Sequence, residues 1–93
     1  MLHSFGDKDS ERVWRREAVR KFHPEIQRVV LRKLVILDAA ENIGDLRVSP
    51  GNRLEKLNGD RAGQHSIRIN DQWRICFRWT KAGPEDVMIT DYH

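Results

Sequence analysis

The apolar period of this chain changes part-way along, and that change constrains the fold more than any other feature. Within residues 24–41, Ile26, Val29, Val30, Leu34, Leu37 and Ala40 recur at helical spacing. They form one apolar stripe, as an amphipathic helix requires. Pro24 fits the first turn, where a missing N–H costs nothing. Leu31 and Val35 lie off the stripe, so this helix has a second apolar contact to make, with the first helix or with a partner protein. Residues 42–52, "NIGDLRVSPGN", carry the Gly and Pro signals of a loop. Beyond them the period falls to two, the repeat of a strand with one buried face.

Residues 53–58 read as a short strand, 59–63 as a turn, 64–69 as a second strand and 70–72 as a turn into a third, 73–79. A turn at 80–85 leads into the last strand, in "DVMITDYH". Consecutive strands joined by short turns make an antiparallel meander. Upstream, residues 2–5 are a candidate edge or first strand. "GDKDSERVWRRE" supplies capping residues and then continues as a helix, which His23-Pro24 interrupts. The expected fold is therefore α+β: two N-terminal helices packed on one face of an antiparallel β-sheet, in one domain over residues 1–93.

Composition narrows the class. Apolar residues make up 39% of the chain, enough for one core. A single cysteine, Cys76, excludes an internal disulfide and fits a reducing compartment. No apolar run approaches the roughly 18–20 residues of a membrane span. "MLHSFGDKDSE" places acids where the apolar core of a signal peptide belongs, so the expected location is cytoplasmic. Net charge is +3, with nine Lys or Arg in residues 8–33 and six more in 53–78. That distribution suits either a solvated basic surface or a polyanionic partner.

In "WRICFRW", alternation sends Trp73, Ile75, Phe77 and Trp79 to the core and Arg74, Cys76 and Arg78 to the other side. Arg68, out of phase with Ile67 and Ile69, joins them, giving an open sheet face of fixed positive charge. The chain closes on Asp91, Tyr92 and His93, with Asp91 and Tyr92 on opposite sides of the last strand. An antiparallel partner brings that end near Arg74. RNA cleavage uses such a set: the 2′-OH loses a proton, the phosphorane charge is neutralised and the 5′-oxygen gains a proton. His93 has a reference pKa of about 6.5, suited to either transfer. Tyr92 can orient a ribose or stack on a base.

"NRLEKLNGDRAGQHSIRINDQWRICFRW", the closing "DYH", "MLHSF" and "LDAAENIGDLR" together resemble the HigB-type toxins, the plasmid maintenance system killer branch of the RelE/ParE superfamily. "PGNRLE" and "INDQWRICF" are similar to its GraT-like subgroup. The resemblance implies a compact RelE/ParE-like α+β domain and a ribosome-dependent endoribonuclease that cuts mRNA in the A site of the small ribosomal subunit. It implies 2′-OH attack without a metal or other cofactor. It also implies a HigA-type helix-turn-helix antitoxin, through whose complex alone the toxin meets operator DNA, and no membrane partner. Carried onto this chain, Arg74 matches the phosphate-neutralising strand arginine, and Asp91, Tyr92 and His93 match the family's functional C-terminal trio, which makes these four candidate catalytic residues.

Two positions depart from the family pattern. Many members read "LHPLKGDR" where this chain reads "LEKLNGDR", so Glu55 replaces a histidine and Asn58 a lysine. Glu55 is then either a general base or an exposed carboxylate paired with an arginine. Lys56 or Arg61 is a candidate for the missing cation, although the pleat turns Lys56 away from Glu55. Lys56, Asn58, Arg61, Arg68 and Arg78 are the candidate RNA contacts. Two other readings stay open: a ParE-like poison of DNA gyrase with no nuclease activity, and a weakly active toxin fold serving mainly in operon regulation. His65 alternates with Ile67 and Ile69 and reads as core-facing or interfacial, while His3 and His23 have no evident partner. No His, Cys or Asp spacing marks a metal site, and Cys76 lacks a histidine base.

Overall fold

In the computed structural model, which describes residues 1–91, Asp7 opens helix α1 (Lys8–Trp14) by accepting the Ser10 N–H. This helix stops well short of His23-Pro24. Glu17 N–H reaches the Arg12 carbonyl and Arg16 N–H the Val13 carbonyl, with Arg16 at φ 64°. That is a Schellman termination, built here with arginine at the left-handed position that usually holds glycine. The sequence therefore lacked the usual stop signal. Residues 15–23 form an irregular connection instead of two further helical turns.

Helix α2 (Pro24–Ala39) begins on Pro24 with His23 as its cap, the imidazole Nδ1 accepting Glu25 N–H at 3.3 Å. Val30, Leu34 and Leu37 of its stripe are fully buried. Short 3-10 turns follow at Ile43–Arg47 and Pro50–Asn52. Asn52 is buried and ties them together: Nδ2 donates to the Leu46 carbonyl, while Oδ1 accepts from Lys33 on α2.

The sheet has the order β1 (Glu55–Lys56), β2 (His65–Arg68), β3 (Trp73–Thr80), β4 (Gly83–Asp91), each antiparallel to the next. The meander is as expected, but β1 is only two residues long. The last turn is tighter than 80–85: only Lys81 and Ala82 separate Thr80 from its partner Gly83. Gly83 sits at φ 122°, and a Cβ there would lie 2.2 Å from the Met1 carbonyl, so the N-terminus passes where only glycine fits. Between the pairs Cys76–Met88 and Arg78–Glu85, β4 places Asp86 and Val87 opposite Phe77 alone. Asp86 takes φ 53° at this bulge.

Residues 2–5 do not form a strand of their own. Phe5 makes one parallel bridge to Val87, and His3 N–H bonds to the Pro84 carbonyl. This covers part of the outer edge of β4, which would otherwise present unpaired backbone. The core lies between α1, α2 and one sheet face, from Val13, Val30, Leu34, Leu37 and Leu46 to Ile67, Ile75, Phe77 and Ile89. Phe22 meets Trp73 edge-on at 5.0 Å and Phe77 meets Trp79 at 6.5 Å, so the β3 aromatics are core residues. Ser10, buried on α1, accepts Ile89 N–H and pins helix to sheet.

Candidate active site

The sheet register decides which polar residues meet. Ser66 faces Cys76 and Glu55, and Arg74 faces both Arg68 and Thr90. Glu55, Ser66, Arg68, Arg74 and Thr90 therefore share the face away from the helices. That face is not the open one expected from the sequence. Arg74 is 7% exposed and Cys76 fully buried. The chain entering β1 comes back to Arg74, and the Arg53 carbonyl accepts a hydrogen bond from its Nη2 at 2.6 Å.

Arg74 is held from several directions. Its Nε donates to Ser66 Oγ at 2.8 Å, and Nη2 also reaches the Ser66 carbonyl at 3.4 Å. Buried cationic groups are costly unless hydrogen-bonded, and these acceptors offset that cost while fixing the plane of the guanidinium. Glu55 Oε2 lies 3.9 Å from Nη2, with the carboxylate more than half exposed. At that distance the pair is an ion pair rather than a hydrogen bond. Both sequence readings of Glu55 are thus compatible with its position: it pairs with an arginine, and that arginine is the one matched to phosphate. Arg53 itself sits at φ 42°, a left-handed conformation that costs a non-glycine residue about 1–3 kcal/mol. Turning the carbonyl onto Arg74 accompanies that strain.

The remaining candidates scatter. Lys56 faces His65 on the helix side, as the pleat required. Asn58 precedes and Arg61 ends the 3-10 turn Gly59–Arg61, beside the site in sequence but outside the paired strands. Arg68 is on the Arg74 face and pairs with Asp71. Arg78, toward the far end of β3, lies 3.6 Å from Asp86. Asp91 pairs in register with Trp73, placing it on the helix side of the sheet, where Gln72 Nε2 donates to it at 3.1 Å. Asp91 and Arg74 thus occupy opposite faces. Tyr92 and His93 lie outside the described residues.

Ser66 and the Arg53 carbonyl were not singled out in the sequence. Alternation against Ile67 could have placed Ser66 beside Arg74; nothing local signals the backbone turn at Arg53. His65, expected to face the core or an interface, stacks on Phe77 at 6.3 Å. Its Nδ1 is buried without a hydrogen-bond partner among the described residues. Burial, then Lys56 and Arg47, push its pKa below the ordinary histidine value. His23 acts as a helix cap, and His3 lies 3.8 Å from Glu85.

An arginine locked into a sheet beside a carboxylate is one arrangement many folds could build; the relatives decide among them. The HigB-like toxin family, described as the RelE-like toxin of type II toxin-antitoxin system HigB, matches residues 3–93. The chain belongs to the HigB-like toxin family. It is 42% identical over 80 residues to Toxin HigB-1 of Vibrio cholerae serotype O1, covering 85% of this chain and 84% of that protein. A protein of Haemophilus influenzae is 39% identical over 59 residues, 63% of this chain and 58% of that one. Among solved structures, the YoeB-YefM complex from Staphylococcus aureus matches with a TM-score of 0.64 at 15% identity, over 100% of this chain and 98% of that chain. At that identity the likeness speaks to the fold. The HigB-like chain is thus a RelE-like toxin of a type II toxin-antitoxin system, on a compact α+β fold that it shares with the Staphylococcus aureus structure.

Proposed function

We propose that this toxin is a ribosome-dependent endoribonuclease that cleaves mRNA in the ribosomal A site and so inhibits translation. The observation that carries this reading is the guanidinium of Arg74, fixed by Ser66 and the Arg53 carbonyl beside Glu55. A charge oriented before substrate arrives needs no reorganisation when charge develops on phosphorus, which is where such groups contribute most.

The reaction needs no group beyond the chain and its substrate. The ribose 2′-oxygen forms a bond to phosphorus as its proton passes to a base. The bond to the 5′-oxygen breaks, leaving a 2′,3′-cyclic phosphate and a 5′-hydroxyl that takes up a proton. Glu55 is the proposed base, with Arg74 neutralising the phosphorane. Tyr92 and His93 are proposed to orient the nucleotide and supply the second proton, and Asp91, on the other face, to anchor the end of β4. Asn58, Arg61 and Arg68 are proposed as RNA contacts around Arg74, and Lys56 and Arg78 as more distant ones. The site is modestly equipped, so holding the mRNA in attack geometry falls to the ribosome; positioning of that kind contributes several kcal/mol.

The proposed restraint is a HigA-type helix-turn-helix antitoxin, which also carries the toxin to operator DNA. The Staphylococcus aureus structure, a YoeB-YefM complex, supports a protein partner on this fold. The cytoplasm is the proposed location, since ribosomes and antitoxin meet there. Primer extension on a defined mRNA in a translating extract tests the function, with Arg74→Ala, a Tyr92-His93 deletion and a ribosome-free arm alongside. Cuts within codons that need ribosomes and vanish in both variants are expected. Unimpaired translation without cuts, together with inhibited DNA supercoiling by gyrase, would replace this reading with the ParE-like one.

A further inference from the structure

The irregular connection after α1 borders an open cavity that the nuclease reading leaves unused. It measures about 520 Å³, within the range of small binding pockets. Its floor is Val19, Phe22 and Leu31, and Arg16, Arg20 and Arg28 stand around it. The cavity is preformed, because Gln27 fastens the connection to α2: Val19 N–H donates to Gln27 Oε1 at 3.0 Å, and Gln27 Nε2 donates to the Glu17 carbonyl at 2.7 Å. One turn beyond Leu31, Val35 remains 45% exposed and extends the apolar surface along α2. Among the described residues, none of the three arginines has a carboxylate within ion-pair distance, although Arg15, Lys21, Arg68 and Arg78 all do. Phe22 packs on Trp73, so the cavity lies on the helix side of the sheet, away from the face that carries Arg74.

We propose that this cavity and the Leu31–Val35 ridge are the docking surface for the antitoxin, through a segment that presents an apolar anchor flanked by carboxylates. The inference rests on the antitoxin partnership proposed above and assigns it a place. Charge complementarity selects the flanks: Arg20 and Arg28, with no carboxylate within ion-pair distance among the described residues, attract acids and discourage basic segments, while Arg16, which donates to the Trp14 carbonyl at 2.6 Å, adds positive charge at the margin. The floor selects the anchor. A phosphate backbone has nothing to bond to among Val19, Phe22 and Leu31, whereas leucine- or phenylalanine-sized side chains pack on that apolar surface and exclude water from the ion pairs around it. The fixed connection lowers the ordering cost on the toxin side.

The test is a titration of the purified toxin with its cognate antitoxin, at two salt concentrations, for wild type, Arg20→Glu/Arg28→Glu and Leu31→Asp, with Lys81→Glu as a charge-reversal control away from the cavity. Circular dichroism melts establish that each variant is folded. The exposed arginine positions keep the test sound if Leu31→Asp fails to fold. At least tenfold weaker antitoxin binding by the double reversal, with a shallower salt dependence and Lys81→Glu unchanged, is the expected result. Wild-type affinity in the double reversal overturns the docking surface. So does loss of binding to 30S ribosomal particles with antitoxin affinity intact, which would assign the patch to RNA. Failure of the wild-type toxin to bind its antitoxin at all would overturn the partnership itself.

Discussion

Ser66 Oγ accepts the Arg74 Nε–H at 2.8 Å, and the two side chains are shut away from solvent together. The bond crosses from β2 to β3 on the face away from the helices and leaves the guanidinium one orientation. With the Arg53 carbonyl on Nη2, the cation is aimed by two other groups of the chain, one in a strand and one in a loop.

Ser66→Ala removes one of these supports. Leaving a donor of a buried cation unsatisfied costs about 1–3 kcal/mol of stability. We expect single-turnover mRNA cleavage on programmed ribosomes to fall about tenfold with ribosome binding unchanged, against roughly 10²–10³-fold for Arg74→Ala. A cleavage rate equal to wild type would make Ser66 a packing residue only.

Asn52 reaches the same site indirectly. Its side chain holds the Leu46 carbonyl and Lys33, one residue before Arg53 turns its carbonyl onto Arg74. Asn52→Ala should cost about 1–3 kcal/mol in chemical denaturation. It should also slow cleavage although the Asn52 side chain bonds to Leu46 and Lys33 rather than to Glu55 or Arg74. Lost stability with an unchanged rate would show that the loop and the guanidinium are independent.

The resemblance to HigB-type toxins leads one to expect a histidine and a lysine where this chain has Glu55 and Asn58, and the proposed consequence is a slower toxin. Glu55→His with Asn58→Lys should raise the single-turnover rate by about tenfold, below the roughly 10²–10⁴-fold that a well-positioned acid/base group contributes. Equal rates for the double variant and wild type would sink the idea.

His65 should give the fold a pH dependence. Its pKa is lowered in the folded chain by burial and then by Lys56 and Arg47, so below the unfolded value of about 6.5 the unfolded state binds more protons. The associated stability is present above that pH and is lost as pH falls toward the folded pKa. Urea midpoints from pH 8 to 5 should fall more steeply for wild type than for His65→Phe, since the carboxylates contribute equally to both. Parallel curves would remove His65 as the cause.

Much of the fold was legible because periodicity reports burial directly. The α2 stripe, the meander and the core role of Trp73, Phe77 and Trp79 follow from spacings of 3.6 and two. The end of α1 was not legible, since Arg16 takes the left-handed position without a glycine to announce it. The bulge at Asp86 was hidden for the same reason.

The site divides the same way. Alternation alone put Arg74 and Arg68 on one face and Lys56 opposite Glu55, because a pleated strand permits only two directions. Sequence likewise determined the family, through motifs spread along the chain. Only the tertiary structure decided that the Arg74 face is enclosed and that Ser66 and the Arg53 carbonyl aim the guanidinium. Those outcomes depend on strand register and on a loop returning across the sheet. Both are set by contacts between residues far apart in the chain, which no local pattern of side chains encodes.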